Sequence, residues 1–130
     1  MRAAVRGISL IEVLVAMTIF AFGILGLLGM HARAVAGFSD VKYRTNAALL
    51  TDSLISDMWV NRNTLANYAY ASGTASSAVQ PWLSEVQSTL PKGAGTVVVS
   101  GTQVTVTVTW QPSEAPAAHR HVEIATIQNP

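Results

Sequence analysis

One stretch constrains this chain more than any other: the apolar run at residues 8–30. Residues 13–30 carry no charge, and a single acid, Glu12, stands at the start. Taken as a helix, residues 8–30 span roughly 35 Å at 1.5 Å per residue. That length crosses a hydrocarbon core of about 30 Å with some tilt. Arg2 and Arg6 precede the run, so the bias of basic residues toward the cytoplasmic side places the N-terminus there and everything after Met30 on the far side. A carboxylate near the end of a membrane segment is costly and is by default a functional residue.

The residues around the start of the run carry a family resemblance. Arg6-Gly7, then Ile8, Ser9, Leu10, Ile11 and Glu12, then an apolar helix, resembles the class III signal of type IV prepilins. The resemblance implies a prepilin peptidase that cuts after Gly7 and methylates the new amine of Ile8. It also implies that Glu12 is the acid at the family's fifth mature position. Ile8 departs from the commoner Phe or Met at the first mature position, but the cut is read mainly from the glycine and the membrane helix.

Glu12 also has a physical rationale. Cleavage after Gly7 exposes an amine four residues before Glu12, and positions i and i+4 share a helix face. An acid in the first turn also suits the positive end of the helix dipole. Glu12 can therefore neutralise the amine of its own chain or of a neighbour, which in hydrocarbon fixes the axial register of packed helices. The competing reading is an acid that snorkels to the headgroups or stays protonated. Two other readings of the whole segment are a plain single-pass anchor, which leaves Glu12 unexplained, and a secretory signal peptide. The latter has a formal cleavage site at Ala32-Arg33-Ala34, but its apolar core should be only about 7–15 residues long.

Gly23, Gly26 and Gly29 recur inside the run. Small residues let helices approach closely in lipid, and glycine also permits local melting. Beyond Met30, three-and-four spacing of Val35, Phe38, Val41, Thr45, Ala48, Leu49, Ile55, Met58 and Trp59 argues an amphipathic helix. No proline interrupts residues 8–80, so the economical reading is one helix over residues 8–66, about 88 Å long. Its first half lies in the membrane; its second half, residues 31–66, packs on a domain formed by residues 67–130. Residues 1–7 form a leader.

In that domain, residues 67–80 are rich in Ala and Ser and read as a loop. Pro81 suits the first turn of a short helix that buries Leu83, Val86 and Leu90 with Trp82 beside them, and Pro91 and Gly93 end it. Val104, Val106, Val108 and Trp110 alternate with threonines, a clean period of two. Residues 96–100 form a second strand joined by a hairpin at Ser100-Gly101-Thr102, and residues 121–127 a third. The fold class is therefore α+β: a long N-terminal helix packed on a small antiparallel sheet, with the Val104 to Trp110 face turned inward.

Nothing in the pattern carries catalysis, and no cofactor is expected. A net charge of +1 gives no electrostatic footprint for nucleic acid. With no cysteine there is neither a disulfide framework nor a thiolate nucleophile. His119 and His121 share a strand face, but zinc needs further ligands, so they read as two exposed histidines at a strand edge. Gly93-Ala94-Gly95 lacks the spacing and lysine of a phosphate-binding loop.

The resemblance narrows further. Phe22-Gly23-Ile24-Leu25-Gly26-Leu27-Leu28-Gly29, and later Leu90-Pro91-Lys92-Gly93-Ala94-Gly95-Thr96-Val97 followed by the Val104 to Trp110 strand, are similar to PilV-type minor pilins of the type IV pilus. This implies a non-catalytic subunit that helps initiate pilus assembly at or near the tip. The partners it implies are prepilin peptidase, other minor pilins, the major pilin, the inner-membrane assembly platform and a tip adhesin. It also implies a single-pass inner-membrane precursor with a cytoplasmic N-terminus and a periplasmic domain, later part of the pilus. A minor pseudopilin of type II secretion and a single-pass membrane-anchored binding domain are the alternatives.

Overall fold

The chain divides into two compact units, Met1–Asp40 and Val41–Pro130, and the computed structural model describes residues 9–128 of it. The elements in order are α1 (Leu10–Val60), a 3-10 helix (Arg62–Tyr68), α2 (Gln80–Thr89), β1 (Ala94–Ser100), β2 (Gln103–Trp110) and β3 (His119–Thr126). The α+β class is as the pattern predicts: a long, apolar N-terminal helix and a three-stranded antiparallel sheet in the order β1-β2-β3.

The second unit has its own core. From the latter part of α1, Ala47, Leu50, Leu54, Ile55 and Met58 are buried with Thr51. Their spacing of three and four places them on one stripe. The buried Thr51 hydroxyl donates to the Ala47 carbonyl oxygen at 2.9 Å, so it costs the core no unpaired polar group. This stripe meets the predicted one only at Ile55 and Met58. Leu49 is 60% exposed and Trp59 44% exposed, and Val35, Phe38 and Val41 are also exposed. The helix is apolar on several sides, so periodicity alone does not select the side that the sheet covers.

The helix also stops short of residue 66, at Val60. No glycine or proline marks the end. A side-chain latch holds the following turn instead: the Tyr68 hydroxyl donates to Asp57 Oδ2 at 2.6 Å, and Asn61 Nδ2 donates to Asp57 Oδ1 at 3.1 Å. Thr64, with φ −128° and ψ 32°, departs from helical geometry inside the 3-10 segment. Burial, then the bond to the Asp57 carboxylate, push the Tyr68 pKa up to about 12. A raised pKa means that the protonated phenol stabilises the fold. That contribution is complete below the ordinary value near 10 and is lost as pH rises through about 12. Melting temperatures should therefore hold to about pH 10 and then fall. Tyr68→Phe should remove that part of the alkaline loss while costing roughly 1–2 kcal/mol at neutral pH.

Helix α2 opens with Pro81 in its first turn, where a missing N–H is harmless. It buries Trp82, Leu83 and Val86, and Leu90, just beyond it, is extended as a residue before proline tends to be. Trp82 ties α2 to α1: its Nε1–H donates to the Leu50 carbonyl oxygen at 2.8 Å. The same indole lies over Gly95 of β1, where an added Cβ would fall 2.4 Å from the ring. Gly95→Ala should therefore displace the indole and lower stability by about 1–3 kcal/mol, read as a shifted urea midpoint.

Strands β1 and β2 meet in a two-residue turn in which Gly101 has φ +61°. Glycine at the first central position with positive φ suits a type II′ hairpin. Val104, Val106 and Val108 are fully buried and Trp110 is 2% exposed, so the alternation in β2 faces the core as predicted. Strand β3 starts two residues earlier than predicted and inverts the usual pattern. His119, His121, Glu123 and Ala125 lie opposite Trp110, Val108, Val106 and Val104, on the core side, and are half-buried. Val122 and Ile124 point outward, 42% and 61% exposed. The two histidines are thus not exposed at the edge: the pairing register puts them on the inner face.

Candidate functional site

Gly7 and Ile8, the predicted processing residues, lie outside the described residues. Glu12 is described: it sits in the first turn of α1 and is exposed. The helix begins by closing on Ser9, whose carbonyl oxygen accepts from the amides of Glu12 at 3.0 Å and Val13 at 3.3 Å. Glu12 therefore stands in the first turn of the helix, where the dipole favours a negative charge. Val13, Ala16, Met17 and Phe20 line the surface next to it, so the acid stands at the head of an apolar face.

Every described side chain over residues 10–35 is exposed. The helix is long and apolar enough to cross a membrane, and none of its most apolar stretch is buried. An exposed apolar surface of this extent marks a membrane or assembly contact. Thr18 within it is compatible with lipid: its hydroxyl donates to the Leu14 carbonyl oxygen at 2.8 Å, so it carries no unmet donor into hydrocarbon. Helix α1 continues through Gly23, Gly26 and Gly29 without a break, and nothing lies within 4 Å of a Cβ built on any of them. Each step of three residues turns the helix by about 300°, so these glycines share one side, open to a neighbouring helix.

In the second unit, the sequence singled out only His119 and His121. The structure places the His119 ring in a stack with Trp110, with centroids 5.6 Å apart. His121 Nε2 is 3.7 Å from Glu123 Oε2, an ion-pair distance too long for a hydrogen bond. Among the described residues, no group of three or more His, Asp or Glu side chains is placed to hold a metal ion. Sequence reasoning missed the Tyr68–Asp57 latch, which joins residues eleven positions apart and leaves no local pattern.

Comparison with known proteins bears on the N-terminal segment. The family model described as Prokaryotic N-terminal methylation motif matches residues 2–28. No curated protein and no solved structure matches the chain. The matched residues contain Gly7, Ile8 and Glu12 together with most of the apolar run. Proteins bearing this motif are processed by prepilin peptidase and serve structural rather than catalytic ends. The chain carries, at the head of a long apolar helix, the methylation motif typical of type IV pilin and pseudopilin precursors.

Proposed function

We propose that this chain is a minor pilin of the PilV type that helps initiate type IV pilus assembly. The observation that carries the reading is the methylation motif over residues 2–28, continued by an apolar helix whose side chains are open to partners. The chemistry is association. Prepilin peptidase removes residues 1–7, the Ile8 amine is methylated, and residues 8–30 leave the inner membrane to enter a filament core beside other pilins. Before assembly the N-terminus is cytoplasmic and the sheet-bearing part periplasmic, consistent with Arg2 and Arg6 ahead of the helix. The PilV assignment draws on residues 90–97 and the Val104 to Trp110 strand. Other minor pilins, the major pilin, the assembly platform and a tip adhesin are the partners.

Mass spectrometry of protein purified from its native membrane should find a peptide beginning Ile-Ser-Leu-Ile-Glu with one added methyl mass. Recovery of Met1 or Arg2, or a start near Ala32, would overturn the prepilin reading. Deleting the protein separates the pilus from the secretion pseudopilus, which use the same anchor and peptidase. Surface pili and twitching should fall while secreted enzymes stay unchanged; the reverse outcome assigns the chain to type II secretion.

A further inference from the structure

The two edges of the sheet are unequal. On β1 the outer edge is covered at its middle: the Tyr70 amide donates to the Val97 carbonyl oxygen at 2.9 Å, and the Val97 amide to the Tyr70 carbonyl oxygen at 2.7 Å. On β3, among the described residues, no segment pairs with the outer edge. The direction of each β3 peptide group follows from its neighbours. The Ile127 amide donates to the Thr102 carbonyl oxygen at 2.7 Å, continuing the β2–β3 register by one residue. In an antiparallel ladder successive residues alternate in direction. Hence His119, His121, Glu123 and Ala125 turn their amides and carbonyls to β2, whereas Arg120, Val122 and Ile124 turn theirs outward. The Tyr70–Val97 bridge gives the same parity, since it makes Val106 face β3 at Glu123.

We propose that this edge pairs with β3 of a second copy of the chain, antiparallel, about a two-fold axis at Val122. That register opposes Val122 to Val122, and Arg120 to Ile124 in both senses, forming six backbone hydrogen bonds from groups that already point outward. It also sets His121 opposite the second copy's Glu123 twice, at the closely spaced positions where Cα atoms are about 4.5 Å apart and an imidazole can meet a carboxylate across the strands. Within one chain His121 Nε2 makes no hydrogen bond, its own Glu123 carboxylate standing 3.7 Å away, and Glu123 across the new seam offers a second acceptor. Neighbouring registers are poorer. Centring on Arg120 or Glu123 opposes like charges, centring on His121 opposes two imidazoles, and centring on Ile124 leaves Glu123 opposite alanine. The inverted alternation of β3 fits this arrangement, because the seam places the two Val122 and Ile124 pairs together on the outer face. The pairing uses β3 alone and is independent of the pilus reading.

The full chain has no cysteine, so single cysteines report the register cleanly. In detergent under mild oxidation, Val122→Cys should give a disulfide-linked dimer, its Cα atoms being about 5.5 Å apart within the bridging range of about 4.4–6.8 Å. Ile124→Cys alone should not, since the like positions lie roughly 13 Å apart along the strands. Mixing Ile124→Cys with Arg120→Cys should restore the link. Glu123→Lys in the Val122→Cys background should lower the dimer yield severalfold, and adding His121→Glu should recover it. Equal linking from Val122→Cys and Ile124→Cys, which would report association through the apolar helix, overturns the proposal. So does the absence of a dimer from Val122→Cys protein whose melting matches the parent, or its capture in native membranes by a different polypeptide instead of itself.

Discussion

Trp110→Ala is expected to leave the second unit unfolded or degraded in the cell. The side chain is 2% exposed at the end of the β2 core face and stacks on His119. Truncating a buried Trp costs about 3–5 kcal/mol, a large part of the roughly 5–15 kcal/mol that holds a domain together. Protein levels by immunoblot, and a cooperative melt of whatever is recovered, measure the effect. Trp110→Phe separates packing from polarity. Nε1 of Trp110 is buried without a hydrogen-bond partner, so phenylalanine keeps most of the apolar contact and removes a donor that nothing satisfies. Its loss should be far smaller than alanine's. Near-wild-type stability in Trp110→Ala would mean that the sheet's inner face does not anchor the core.

The second large effect concerns Glu12, and it should appear in assembly rather than in folding. Glu12→Leu removes a charge from the head of an apolar helix, so membrane insertion should be unchanged or improved; at a helix centre such a charge costs up to about 3.5 kcal/mol. On the proposed cleavage after Gly7, incorporation into filaments should be lost, because the Ile8 amine would have no counter-charge in the packed helices. The ratio of protein in sheared filaments to protein in the inner membrane is the readout. Equal incorporation of Glu12→Leu and the parent would show that the acid does not set register.

What could be read from the residues alone follows a physical rule. Strand β2 was legible because valine and threonine alternate cleanly, one face apolar and the other polar. Helix α2 was legible because Pro81, Leu83, Val86 and Leu90 give a start, a face and an end. The methylation motif was legible because Gly7, Glu12 and the uncharged run form a local pattern within the residues 2–28 that the family model matches. The buried stripe of α1 was legible only at Ile55 and Met58: apolar residues lie on several sides, and the selection of Leu50 and Leu54 over Leu49 and Trp59 is made by the core that closes over them. The helix end at Val60 depends on Tyr68 reaching Asp57, a contact without a local signal. Strand β3 hid its orientation because His119, His121 and Glu123 face inward while Val122 and Ile124 face out.

The bridge between Tyr70 and Val97 bears on the size an assembly of this sheet can reach. A sheet with two open edges is a template at both ends, and copies added to each can grow into a ribbon without limit. Here a loop residue occupies the middle of one edge, so strand addition has a single place to occur. When two copies join through β3, each uses the edge the other needs, and the contact is isologous and self-terminating. Removing the bridge, for instance by placing proline at Tyr70, would turn a closed pair into the unit of an open fibre.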